Sequence, residues 1–199
     1  LVSRGLNTVE EQAEFLSPRE ITLDYLYTES GITKESLIKA QTLIDKHLES
    51  GSDICVFGDY DADGVSATAV LYLGLSEYIK KSGSTSRLLP FIPDRHKHGY
   101  GLSNKAVAEV MDGTAFIDAS YEGFHPKLII TVDTGIVAHD GIATFVKGGI
   151  EVIITDHHLP DSTLPKANSI VHSTITSGAG VSWILVCHLL AGTSKLLDL

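Results

Sequence analysis

The stretch Ile54-Cys55-Val56-Phe57-Gly58-Asp59-Tyr60-Asp61-Ala62-Asp63-Gly64 decides how the rest of the chain is read. Four apolar residues in a row fit a strand buried on both faces, and the glycine after them ends it. Asp59, Asp61 and Asp63 then alternate over five positions. On an extended backbone residues i, i+2 and i+4 point to one side, so the three carboxylates are expected to converge. Converging carboxylates repel one another and are costly unless a cation neutralises them. The stretch predicts a hard divalent-metal site at the end of a buried strand.

Outward from it, short apolar, β-branched runs recur at 88–92, 128–132, 152–155 and 169–171. Helical stretches are expected at about 65–81, 103–112, 138–148 and 178–191. Continuous apolar strands alternating with helices imply an α/β fold: a mostly parallel sheet flanked by helices. Residues 1–50 read instead as a helical segment, which divides the chain into 1–50 and 51–199. Thr8-Val9-Glu10-Glu11 has the form of a capping box and Ser17-Pro18 that of a stop. A second helix is expected from about Thr33 to Glu49, with Leu37, Ala40, Leu43, Ile44 and Leu48 as its apolar stripe.

In such sheets ligands bind beyond the carboxyl ends of the strands. Four polar clusters fall there. The carboxylate triplet follows the first strand and Pro93-Asp94-Arg95-His96-Lys97-His98-Gly99-Tyr100-Gly101 the second. Asp133-Thr134-Gly135 follows the third and Asp156-His157-His158 the fourth. Carboxylates with imidazole suit Mn²⁺ or Mg²⁺. Two ions sharing a carboxylate are a standard arrangement for phosphoester hydrolysis. In the second cluster Gly99 and Gly101 permit close backbone approach and Arg95 can hold a phosphate by two hydrogen bonds, so this loop reads as a phosphate or nucleotide clamp. His47, His125, His139, His188 and Trp183 read as surface or core residues.

The 199 residues carry a formal net charge of −10, which argues against gripping nucleic acid by bulk electrostatics. It does not exclude a nuclease, because bound cations cancel part of the excess. Cys55 and Cys187 lie in apolar runs and read as buried thiols. No run is long enough to cross a bilayer. The first residue is Leu1 and the last stretch is Leu196-Leu197-Asp198-Leu199, so the chain is expected to be part of a longer one.

The motifs, in their order, resemble the DHH phosphoesterase superfamily and, within it, the RecJ nucleases. The resemblance rests on Gly58–Gly64, His98-Gly99-Tyr100-Gly101-Leu102-Ser103, Val132-Asp133-Thr134-Gly135-Ile136 and Thr155-Asp156-His157-His158-Leu159-Pro160. It implies a 5′→3′ exonuclease acting on single-stranded DNA in repair and recombination, with two Mn²⁺ or Mg²⁺ ions. It assigns Asp61, Asp63, Asp133 and His157 to the metals, Asp133 as the bridge. It gives His158 the phosphate contact, Asp156 the orientation of the histidines, and Arg95, His98 and Gly99 the substrate. Asp59 sits in the first motif without an assigned role. The implied partners are single-stranded DNA and other repair or replication proteins, with no membrane; the implied location is cytoplasmic.

Two departures stand out. His172-Ser173 replaces the Asn-Pro usual after the last strand, so His172 is either an added polar group or a neutral replacement. The superfamily's last metal-ligating Asp lies just beyond a stretch like the one that ends this chain, which predicts weak or no activity for the chain alone. Rival expectations are a DHH phosphodiesterase of short oligonucleotides, cyclic dinucleotides or pyrophosphate, and a RecJ-like scaffold without catalysis.

Overall fold

Residues 1–17, 21–116 and 121–191 are described by the computed structural model. The expected stop at Pro18 and the closing Leu196–Leu199 lie outside them. Five strands form one sheet: β1 (Ile54–Phe57), β2 (Leu88–Phe91), β3 (Leu128–Val132), β4 (Glu151–Asp156) and β5 (Ser169–His172). Every pairing is parallel, and the order is β2-β1-β3-β4-β5. The helices are α1 (Val9–Leu16), α2 (Leu23–Glu29), α3 (Lys34–Glu49), α4 (Ala62–Ser82), α5 (Arg95–His98), α6 (Asn104–Asp112), α7 (His139–Lys147) and α8 (Gly178–Leu189). The α/β, parallel-sheet expectation is met.

The central strands are buried because each supplies apolar residues to both faces. Ile54 and Val56 of β1, with Leu128, Ile130 and Val132 of β3, pack on one side against α3, α4 and α8. Cys55, Phe57 and Ile129 pack on the other with α6 and α7. The period-two alternation thus serves two cores. Burying each Val, Ile, Leu or Phe contributes about 1.5–3 kcal/mol, which makes this centre a rigid base for what hangs off its ends. Cys55 and Cys187 are free and buried, as expected.

Helix α2 is absent from the reading by periodicity. Its signal was local, the Thr22 hydroxyl accepting from the Tyr25 N–H as an N-cap. Leu26, Ile32, Leu37, Ala40, Ile44 and Leu48 share a core cluster with the sheet, so α2 and α3 pack into the same body as the strands. Helix α1 has the expected capping box, with Thr8 and Glu11 bonded reciprocally, but no buried residue.

Helix α4 starts at Ala62, earlier than the expected 65. Asp61 is its N-cap, accepting from the Gly64 N–H at 2.9 Å, and Asp63 lies in its first turn. The expected route to convergence is therefore corrected. The triplet does not alternate along a strand; a strand end, a cap and a helical turn bring its carboxylates to the rim.

Candidate metal centre

In a sheet of order 2-1-3-4-5, β1 and β3 are neighbours whose connections leave in opposite directions, which opens a crevice beyond their carboxyl ends. The Asp59–Asp63 turn emerges from one side of that crevice and Asp133 from the other. Asp133 is the one described non-glycine residue with positive φ, 57°, a conformation that Asp tolerates better than most residues. It turns the chain sharply off β3 and leaves the carboxylate 1% exposed between the acidic turn and the histidines.

Two donor sets meet at Asp133. Ligand atoms of Asp59, Asp61 and Asp133 lie within 4.8 Å of one another. On the other side His157 Nε2 is 3.1 Å from Asp133 Oδ1 and 3.5 Å from Asp63 Oδ2. A third grouping joins Asp133 to both His157 and His158. Asp59, given no role by the resemblance, is thus 2% exposed and inside the first set.

Asp133 Oδ1 is buried and has no hydrogen-bond partner; His157 Nε2, though near, is not aligned to donate. An orphaned buried carboxylate oxygen is costly, and a cation relieves the cost. The 3.1 Å between Asp133 Oδ1 and His157 Nε2 also matches neighbouring ligands around an octahedral ion at about 2.0–2.1 Å. The residues fit Mn²⁺ or Mg²⁺.

The electrostatics agree. Burial, then the charges of Asp63 and Asp61, push the Asp133 carboxyl up to about 7. Burial also raises Asp59, against the lowering effect of the Tyr60 N–H. Asp63 is the exception. Burial alone would raise it, but the Ala179 and Gly178 N–H groups donate to its two oxygens at 2.9 and 2.8 Å and hold it below the usual range. These are the first amides of α8, whose positive end favours a carboxylate.

Asp156 ends β4, 1% exposed. One oxygen accepts from the Ile136 N–H at 2.9 Å. The other accepts from the N–H groups of His157 and His158 and from His158 Nδ1 at 2.8 Å. This fixes the His158 tautomer with hydrogen on Nδ1, leaving Nε2 for another contact. Burial lowers the His158 pKa, but the Asp156 bond and the charges of Asp156, Asp133 and Asp59 raise it on balance.

The loop after β2 divides the three residues expected there. Arg95 is exposed, its guanidinium 5.4 Å from the Tyr60 ring, and Tyr60 meets Tyr100 edge to face at 6.0 Å. Gly99 closes α5 at φ 84°. His98 turns inward, 8% exposed: Nδ1 accepts from the Asp94 N–H at 2.8 Å, so hydrogen sits on Nε2, 3.0 Å from Glu109. With both nitrogens taken, His98 shapes the loop instead of facing the rim. Glu109, which the sequence reading did not single out, also holds Lys97 at 2.7 Å. His172 lies on the far side, its Nε2 2.7 Å from the His158 carbonyl oxygen, so it is an engaged polar group.

Against known proteins, residues 53–197 match the DHH family, N-terminal domain. The chain belongs to the DHH family. Single-stranded-DNA-specific exonuclease RecJ of Thermus thermophilus is 35% identical over 159 residues, covering 76% of this chain and 21% of that protein. The RecJ of Bacillus subtilis is 33% identical over 210 residues, covering 100% of this chain and 24% of that protein. The chain thus spans about a quarter of the length of these DHH relatives. A crystal structure of exonuclease RecJ bound to manganese superposes with a TM-score of 0.62 at 34% identity, over 78% of this chain and 37% of that one. Among the described residues no helix is long and apolar enough to cross a membrane.

Proposed function

We propose that this chain is the metal-bearing part of a RecJ-like nuclease that hydrolyses phosphodiester bonds of single-stranded DNA 5′→3′, in repair and recombination. The observation that carries the reading is the pair of donor sets that share Asp133 at the β1–β3 crevice, one oxygen of that carboxylate being buried without a hydrogen-bond partner. Asp59 and Asp61 would hold one divalent ion and Asp63 with His157 the other, both touching Asp133. Such ions supply a water of lowered pKa and neutralise charge on the attacking and leaving oxygens. The manganese bound in a crystal structure of exonuclease RecJ supports that choice of ion.

The chain's own groups would do the rest. Asp156 holds the proton on His158 Nδ1, so that Nε2 faces a phosphate oxygen in a fixed orientation. Arg95 clamps a neighbouring phosphate from the flank. Partners beyond the DNA strand, a cytoplasmic location, and the division into an opening segment of residues 1–50 and a DHH body of 51–199 belong to the same proposal. A family match that begins at residue 53 supports the division.

Incubation with manganese, a long 5′-phosphorylated single strand and a dinucleotide tests the reading. Slow shortening of the long strand from its 5′ end is expected. Cleavage of the dinucleotide alone would overturn it in favour of a short-substrate phosphodiesterase.

A further inference from the structure

We propose that Ser173 is a positioning residue for Asp63, acting through the β5–α8 loop, with the Ser30–Gly31 turn of the N-terminal segment as its abutment. This rests on the reading of Asp63 as a metal ligand. Loop 173–177 joins β5 to α8, and both of its ends are pinned. At the first, Ser173 is 4% exposed and its N–H donates to the Asp156 carbonyl at 3.3 Å. Its hydroxyl donates to the Ser30 carbonyl and accepts from the Ile175 N–H at 3.0 Å. Ser30 is itself buried and fixed, its Oγ accepting from the Ile32 N–H at 3.1 Å.

The Ile175 side chain lies across Gly31. A Cβ on Gly31 would come 2.9 Å from Ile175 Cδ1 and 3.3 Å from Ser173 Oγ, and its φ of +73° favours glycine. The turn and the loop are thus in close contact at residue 31, where the positive φ favours glycine and any side chain would have to displace the end of Ile175.

At the other end Ser177 caps α8, and the next two amides donate to Asp63. A Cβ on Gly178 would meet Asp133 Oδ1 at 2.3 Å, so the helix start is pressed against both carboxylates. With only four residues between Ser173 and Gly178, a shift at Ser173 is passed to Asp63 with little slack. Asp61 has no such dependence, because its oxygen is held by Gly64 three residues away. The two donor sets should respond differently to the same loop.

Manganese titration by calorimetry on the chain and three variants tests this, with thermal midpoints of the metal-free proteins alongside. The parent is expected to bind in two steps. Ser173→Ala should weaken one step about ten-fold, in the range seen when a ligand's supporting partner is lost, and leave the other unchanged. Ser173→Thr keeps the hydroxyl and should restore both steps. Ile175→Gly, at a side chain 69% exposed, removes the contact with Gly31 without touching the core and should weaken the same step; it decides the matter alone if Ser173→Ala does not fold. Parental affinities in Ser173→Ala and Ile175→Gly would overturn the inference, as would equal weakening of both steps in every variant. A parent that binds no manganese would instead overturn the reading of the metal centre.

Discussion

After β1, β3 and β4 the rim is acidic and its base is buried, with Asp59, Asp133 and Asp156 only 1–2% exposed and Asp61 at the mouth, whereas after β2 it is basic and open, with Arg95, His96 and Lys97 in solvent. The centre's carboxylates are set by main-chain donors: Gly64 for Asp61, Gly178 and Ala179 for Asp63, Ile136 for Asp156. The flank is set by side chains, with Glu109 holding Lys97 and His98. Fixed negative charge suits ions that must stay in place. Movable positive charge suits a strand that must pass. On the proposed function, the contrast also explains how an acidic chain would act on a polyanion: bound cations would cover the acid, and the small basic patch stands beside it.

The largest break in this contrast is expected from Asp133→Asn, which removes the carboxylate both donor sets share. Hydrolysis should fall about a thousand-fold or more, the loss of several kcal/mol of charge stabilisation, while the core stays folded. A variant with more than a tenth of the parental rate would show that Asp133 is not the bridge. Next comes Arg95→Ala on the open side. It should raise KM for single-stranded DNA about ten- to a hundred-fold with kcat little changed, as expected for a lost charge-assisted bond. Equal loss in kcat would place Arg95 at the reacting centre and erase the division between clamp and chemistry.

Glu109→Gln should act more mildly, a few-fold in KM, since the loop keeps its Asp94 cap but loses the anion that faces Lys97 and His98. An unchanged KM would mean that the loop holds its shape without Glu109.

A pH effect sharpens the same contrast. Without metal, the folded protein keeps a proton on Asp133 up to about 7, against an ordinary 3.8. The stability from that proton is complete below about 4 and is lost as pH rises through about 7. The thermal midpoint of the metal-free chain should therefore fall over this window more than that of Asp133→Asn, and manganese should remove the difference. Parallel pH curves for the two proteins would contradict the shift.

Much of this architecture was legible because strand ends carry short-range signals. Apolar runs fixed β1, β3 and β4 to within a residue or two, and Asp133, Asp156 and His157 follow directly from them. The alternation of Asp59, Asp61 and Asp63 pointed to the right place by the wrong geometry, since a cap and a helical turn, not a strand, aim them. The inward turn of His98 was not legible, because His-Gly beside Arg and Lys looks the same whether the ring faces solvent or Glu109. Nor was the support of Asp63 by α8, 115 and 116 residues away, or of Ser173 by Ser30, 143 residues away. Such contacts come from packing that no local pattern encodes.

Anomalous diffraction from manganese-soaked crystals of the chain tests the central claim most directly. Two peaks are predicted, about 3.5–4 Å apart, as in two-metal sites. Both should touch Asp133, one beside Asp59 and Asp61 and the other beside Asp63 and His157. A single peak, or two that do not share Asp133, would contradict the account.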